Sequence, residues 1–207
     1  MENKNSSSDI LNAFAKKSGR TIEYIKAPYE KSVVHWVSRV WHQRKLYIPN
    51  NSMGTSYFVS FADARSVNLN SEDVLYSGVF IPIPLPSAAR ITMRKKDILD
   101  KLSVFNKKKV LKSGFSHFDA RVTIRGNDSL SAQKLLKSRK VQDAVLEAFS
   151  KEESLATGIN TVNADFVPQL KGQSLFGIYS LSGWILEEEL IEFLFDGMEE
   201  IRERLKG

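Results

Sequence analysis

No cysteine occurs among the 207 residues. That single absence removes disulfides, thiolate chemistry and Cys-type zinc sites together, and it fits a bacterial cytosolic protein. Histidine is scarce too, with only His35, His42 and His117 present. No window approaches the roughly 20 consecutive apolar residues that span a bilayer. The first eight residues, Met-Glu-Asn-Lys-Asn-Ser-Ser-Ser, lack the apolar core of a signal peptide. The expected location is therefore cytoplasmic, and the Asn-x-Ser triplets at Asn5, Asn50 and Asn127 read as chance. Missing as well are the Walker loop, the Rossmann glycine fingerprint and Gly-x-Ser-x-Gly. No cofactor, metal or small-molecule substrate is indicated.

Hydrophobic residues make up 42% of the chain and charged residues 26%, values ordinary for a soluble globular protein. The length suits one domain: a flexible N-terminus with a short helix over 1–20, then a single α+β domain over 21–207. That domain divides at residue 112 into two candidate sub-units, 21–112 and 113–207. Residues 1–8 are polar and read as disordered. Asp9 can cap a short helix through Lys17 that Gly19 ends.

Residues 32–44 carry Val33, Trp36, Val37, Val40 and Trp41 at three- and four-residue steps, which favours a helix. Their β-branched content keeps a strand as the alternative. Two extended segments are expected over 47–61, around a turn at 49–54. In 78–86, Val79, Ile81, Ile83 and Leu85 alternate with Phe80, Pro82, Pro84 and Pro86. Three prolines remove three donors from one lateral side of a strand, so an edge strand over 79–85 is expected. A ligand for a proline-recognition groove is the less favoured account.

A strand over 89–93 and a basic helical or linking stretch through Lys112 follow. The remainder reads as a βαββα unit. Residues 118–125 alternate like a strand, a turn and cap stand at 126–128, and 130–149 has helical periodicity. Strands follow at 158–162 and 175–181. The closing helix has Leu186, Leu190, Phe193, Leu194, Met198, Ile201 and Leu205 as its apolar stripe. Glu187, Glu188 and Glu189 in its first turn and Arg202, Arg204 and Lys206 in its last match the helix dipole. The expected fold is α+β: a mostly antiparallel sheet with helices packed on one side and a C-terminal βαββα unit.

The pattern resembles an uncharacterised bacterial domain-of-unknown-function family whose members often carry N-terminal transmembrane helices. The shared features are Gly78-Val-Phe-Ile81, then Phe118, Asp119 and Val122, then Asp128 with Leu135 and Leu136, and the apolar strand from Phe176 to Leu181 ahead of a terminal helix. The resemblance spans roughly residues 45–205. It departs from the family in lacking the membrane helices, and it implies bacterial origin and this fold without an activity. If the chain is the excised soluble part of a tethered relative, the cytoplasmic face of a membrane becomes its place.

Charge is segregated along the chain. Residues 90–140 hold 15 Lys/Arg against 4 Asp/Glu, whereas 141–207 hold 5 against 13. A basic middle can serve an anionic partner; mutual neutralisation of the two segments is the preferred account. The segment with Trp36, Arg39, Trp41, Arg44 and Lys45 interleaves aromatic and basic residues, and Lys107, Lys108 and Lys109 could extend it. Such a surface stacks bases, neutralises phosphates or meets anionic lipid. An amphipathic element burying Trp36, Val37 and Val40 explains the same residues more simply. His117 and Asp119 would share a strand face and could form an imidazole–carboxylate pair, although no third metal ligand is spaced for them. The function expected is a non-enzymatic bacterial protein-interaction or assembly module with a protein partner. The alternative is a basic-surface binder of nucleic acid or anionic membrane.

Overall fold

A computed structural model describes residues 6–26, 41–50, 55–65, 74–96 and 110–205. Among these residues nine strands form one sheet: β1 (Glu23–Lys26), β2 (Trp41–Pro49), β3 (Tyr57–Arg65), β4 (Val74–Pro82), β5 (Ile91–Lys95), β6 (Val110–Leu111), β7 (Val122–Gly126), β8 (Leu155–Ile159) and β9 (Leu175–Ser180). Five α-helices accompany them within the described residues: α1 (Ser7–Lys17), α2 (Ser116–Asp119), α3 (Ser129–Leu135), α4 (Arg139–Lys151) and α5 (Glu188–Leu205). The strand order is β1-β2-β3-β4-β9-β8-β5-β7-β6, and every neighbouring pair is antiparallel. The fold is α+β, as the hydrophobic patterning implied.

The helical layer lies on one face. Leu11 and Phe14 of α1, Val141 and Val145 of α4, and Ile191, Leu194 and Met198 of α5 share a core with Ile48, Phe58, Val79, Ile91, Ile124 and Ile178 from the sheet. The opposite face is covered over β2, β3, β4 and β9 by the β8–β9 connection. Ala164, Val167 and Leu170 pack there on Tyr47, Tyr57, Tyr76, Phe80 and Tyr179. Burial pushes the phenols of Tyr76 and Tyr179 up. Buried on both faces, all six residues of β9 are inaccessible, which is why this strand reads as an apolar run rather than an alternation.

At the centre, Gly78 stands opposite Tyr179 and Gly177 opposite Phe80. The Phe80 and Tyr179 rings stack at 5.9 Å with an 11° interplanar angle. The Phe80 ring thus occupies the side-chain space that Gly177 leaves open, whereas Gly78 lets the backbone at Ile178 and Tyr179 approach closely.

Several elements differ from the sequence expectation. The proline strand is not at an edge, because β4 is paired with β3 on one side and β9 on the other. The donor argument survives in another form. Pairing with β3 stops at Phe80, opposite Tyr57, while Pro82 still pairs with Leu175 of β9. The Ile83 amide then donates to the Ser174 carbonyl at 2.8 Å. By two-residue alternation the nitrogens of Pro82 and Pro84 face the side where β3 no longer offers an acceptor.

Residues 116–119 form the one-turn helix α2 rather than the start of a strand. The Asp119 carboxylate accepts the Ser113 amide and hydroxyl, both at 2.9 Å. That local closure draws the segment away from β7, so His117 and Asp119 do not share a strand face. The expected helix over 130–149 is two helices broken at 136–138. Asp128 caps α3 through the Ser131 amide at 3.0 Å. Gln142 Nε2 donates to the Leu136 carbonyl at 2.8 Å and satisfies the break from within the core.

At the N-terminus Ser6, not Asp9, is the cap. Ser6 Oγ accepts the Asp9 amide and Asp9 returns a bond to the Ser6 amide at 3.0 Å. This reciprocal box orders Ser6 to Ser8, which the sequence had placed in a disordered tail. Of the expected helix over 32–44, residues 41–44 belong to β2 and the rest lie outside the described residues. Within the βαββα unit β5 inserts between β7 and β8, antiparallel to both, so the unit's first two strands are parallel but not bonded to each other.

Candidate functional site

The longest helix, α5, carries the clearest concave surface. Its apolar stripe of Ile191, Leu194, Phe195, Met198 and Ile201 faces the sheet, at the three- and four-residue steps that a core-facing helix needs. One buried carboxylate fixes its rotation against the sheet: Glu199 accepts from Ser56 Oγ, just ahead of β3, and is neutralised within the helix by Arg202 Nε at 2.6 Å. Nearer its start, Arg20 Nη2 donates to Glu192 at 2.8 Å. The Arg20 guanidinium lies 4.7 Å from the Phe195 ring centroid and 5.6 Å from that of Phe14. These contacts tie α1 to α5 across more than 170 residues of sequence.

Between α1 and α5 this arrangement leaves a groove of about 610 Å³, lined by Phe14, Lys17, Glu188, Glu189, Glu192, Phe193 and Asp196, among others. A second depression, of about 240 Å³, continues along α5 toward α4. It shares Phe193 and Asp196 and adds Glu147 and Glu200. Phe193 is half-buried. Lys17 binds Glu188, which raises the lysine above its usual range. Lys140 reaches Glu200 at 3.8 Å, and the Lys151 ammonium stands 5.6 Å from the Phe193 centroid. Among the described residues no cation forms an ion pair with Glu147, Glu189 or Asp196. The groove is thus apolar along its floor and acidic on its rim. No group of three or more His, Asp or Glu side chains converges as a metal site among the described residues, so the rim acids act as separate charges.

On the opposite face a cleft of about 370 Å³ is lined by Ser87, Arg90, Asn160, Thr161, Asp165 and Gln173, among others. Its polar groups are largely engaged with one another. Arg90 Nη1 donates to the Ser87 carbonyl at 2.6 Å, Thr161 Oγ1 meets the Tyr179 hydroxyl at 2.7 Å, and Asp165 accepts the Gly172 amide at 3.2 Å. Asn160 has a φ of 51°. Its side chain receives the Leu175 amide at 2.8 Å and donates to the Ala89 carbonyl at 3.0 Å. Asparagine tolerates this conformation through such local bonds, and here they join the turn after β4 to the start of β9.

The residues singled out from the sequence are dispersed. Trp36, Arg39, Lys107, Lys108 and Lys109 lie outside the described residues. Trp41 and Arg44 fall in β2. Lys45, also in β2, sits against the aromatic cover, its ammonium 5.4 Å from the Phe61 centroid and 5.8 Å from that of Phe166. Asp119 is committed to Ser113, so it does not orient His117. Among the described residues the charge segments meet at Lys95–Glu153, Arg139–Asp143 and Lys140–Glu200. The start of α5 is instead met by Lys17 and Arg20 of the N-terminal segment. Phe193 and the Glu188–Glu189 pair were visible as stripe and dipole residues, but nothing in the sequence placed Phe14 beside them. Among the described residues no helix is long and apolar enough to cross a membrane. Comparison of this chain with known protein families, with curated proteins and with solved structures found no match to any of them.

Proposed function

We propose that this chain is a non-catalytic module that recognises another protein with the helical face of its sheet, along the groove between α1 and α5. The observation that supports this most directly is the combination of the partly exposed Phe193 with Glu189 and Asp196, which line the same groove and form no ion pair among the described residues. A partly exposed aromatic ring in a groove is a favourable anchor for a partner side chain, and flanking charges give orientation and selectivity. The setting proposed for such a module is the bacterial cytoplasm. Affinity capture from the native host with the wild-type chain and with Glu189→Lys/Asp196→Lys tests the reading. A specific partner retained by the first and lost by the second is the expected result; equal retention by both would remove the groove from the function.

A second reading rests on the basic residues where β5 ends beside the beginning of β7. Lys96 and Arg121 adjoin there through a backbone bond of 2.7 Å, and Lys112 follows β6. This cluster supports binding of an anionic polymer, whose affinity would fall steeply as salt rises. Nucleic acid or anionic vesicles retained at low ionic strength and released by Lys96→Glu/Arg121→Glu would favour it.

A further inference from the structure

We infer that the occupant of the α1–α5 groove is a cationic amphipathic helix, a segment with an apolar stripe flanked by lysine or arginine. The inference rests on the interaction-module reading and specifies its partner. Three features of the site determine the chemistry.

The first is charge. Glu188, Glu189, Glu192 and Asp196 stand around the groove against Lys17, Arg20 and Lys151, which leaves one negative charge in excess. Glu147 raises the excess to two along the continuing depression, where Glu200 is faced by Lys140. An acidic or neutral polar partner would leave these carboxylates facing desolvation without compensation. The second feature is that the chain already places its own ammonium groups on this surface. Lys17 occupies Glu188, and Lys151 stands over Phe193. Each shows that the surface accepts a lysine, one through a carboxylate and one through a ring face. Glu189 and Asp196 are the neighbouring carboxylates that form no direct ion pair among the described residues.

The third feature is shape. The acidic rim follows α5 from Glu189 to Glu200, which at 1.5 Å per residue is about 16 Å, or three helical turns. The walls are helices, and among the described residues no strand edge lines the groove, so a helical partner fits it better than an added strand. An amphipathic helix laid in such a groove presents anchors at positions i, i+3, i+4 and i+7. Glu189 and Asp196 are seven residues apart, two turns along one side of α5. Two partner cations at i and i+7 therefore meet both carboxylates while an apolar residue between them meets Phe193.

The test uses the full chain labelled with nitrogen-15 and three synthetic peptides of about 15 residues. One carries leucines at i, i+3, i+4 and i+7 flanked by lysines; the second replaces those lysines with glutamate; the third keeps the lysines but replaces the leucines with serine. The lysine–leucine peptide should shift the amide signals of Phe14, Glu189, Phe193 and Asp196, with affinity falling as salt rises. Its affinity should drop at least tenfold in Glu189→Lys/Asp196→Lys, whose exposed substitutions leave the core unchanged. Equal binding by the glutamate peptide, or no effect of the charge reversal, overturns the cationic occupant but leaves the groove as a docking site. Equal binding by the serine peptide overturns the amphipathic requirement. Shifts at the same four residues that appear on concentrating the protein alone, with a matching rise in sedimentation mass, show a second copy to be the occupant and overturn the proposal. No shift at these residues with any peptide removes both this inference and the interaction-module reading beneath it.

Discussion

Alanine at Gly177 tests whether the ring-over-glycine pairing at the centre of the sheet is a packing constraint. An ideal Cβ built there falls under 3.0 Å from Phe80 Cε1 and Cδ1 and 3.2 Å from its Cζ. The ring is itself buried and stacked on Tyr179, with Tyr76 at 6.4 Å on another side. It has no free direction in which to retreat. Overpacking of this kind costs about 1–3 kcal/mol, offset by the roughly 0.5–1 kcal/mol that alanine regains over glycine in a strand. The expected net loss is about 1–2 kcal/mol, measurable as a lower urea midpoint at unchanged slope. Pairing the change with Phe80→Leu removes the ring edge that clashes. The double variant should then be more stable than the sum of the single effects by about 1 kcal/mol. Gly78→Ala should behave differently, because its Cβ would lie under 3.0 Å from the Ile178 carbonyl oxygen and Tyr179 Cα. Those are backbone atoms, so Tyr179→Leu should give no rescue. A neutral Gly177→Ala, or strict additivity with Phe80→Leu, would refute the reasoning.

Leu194→Ala should cost about 2–5 kcal/mol, since Leu194 is 1% exposed in the main core; thermal or urea unfolding measures it, and a near-neutral result would mean that α5 is peripheral to stability. Arg202→Met leaves Glu199 buried with only Ser56 as a partner and should cost about 3–5 kcal/mol, whereas Glu199→Leu/Arg202→Met should recover most of that loss. The hydrogen bonds from Ser6 and Ser131 hold the Asp9 and Asp128 carboxyls below their usual range. A depressed folded-state pKa contributes stability above the unfolded value and loses it as pH falls through the folded one. Asp128→Ala should therefore lower the melting temperature at pH 7 and lower it progressively less as pH falls through and below the ordinary carboxylate range; a constant difference across that interval would show that the cap does not act through its charge.

How much of this could be read from the chain depends on the range of the physics involved. Period-two alternation identified β4 and β7 in outline, and three- and four-residue steps identified α5, because each pattern is written within one element. Turn and cap chemistry located Gly126-Asn127-Asp128 for the same reason. Side-chain closures only a few residues long already escaped: Asp119 on Ser113 made a helical turn where alternation implied strand, and Gln142 on Leu136 supported a break where periodicity implied one helix. Proline spacing showed which lateral side of β4 lacks donors, but not how far β3 extends along that side. The groove was illegible. It exists because Arg20 is held between Phe14 and Phe195 and paired with Glu192, contacts between residues far apart in the chain. The sequence by itself determined the α+β class, the amphipathic helices, the absence of thiol chemistry and the separation of charge, since all of these are local or compositional. Strand order, the central place of β4, the aromatic cover over the second face and the joining of Phe193 to an acidic rim were decided only by tertiary structure. They depend on which surfaces exclude water together, and no single segment carries that information.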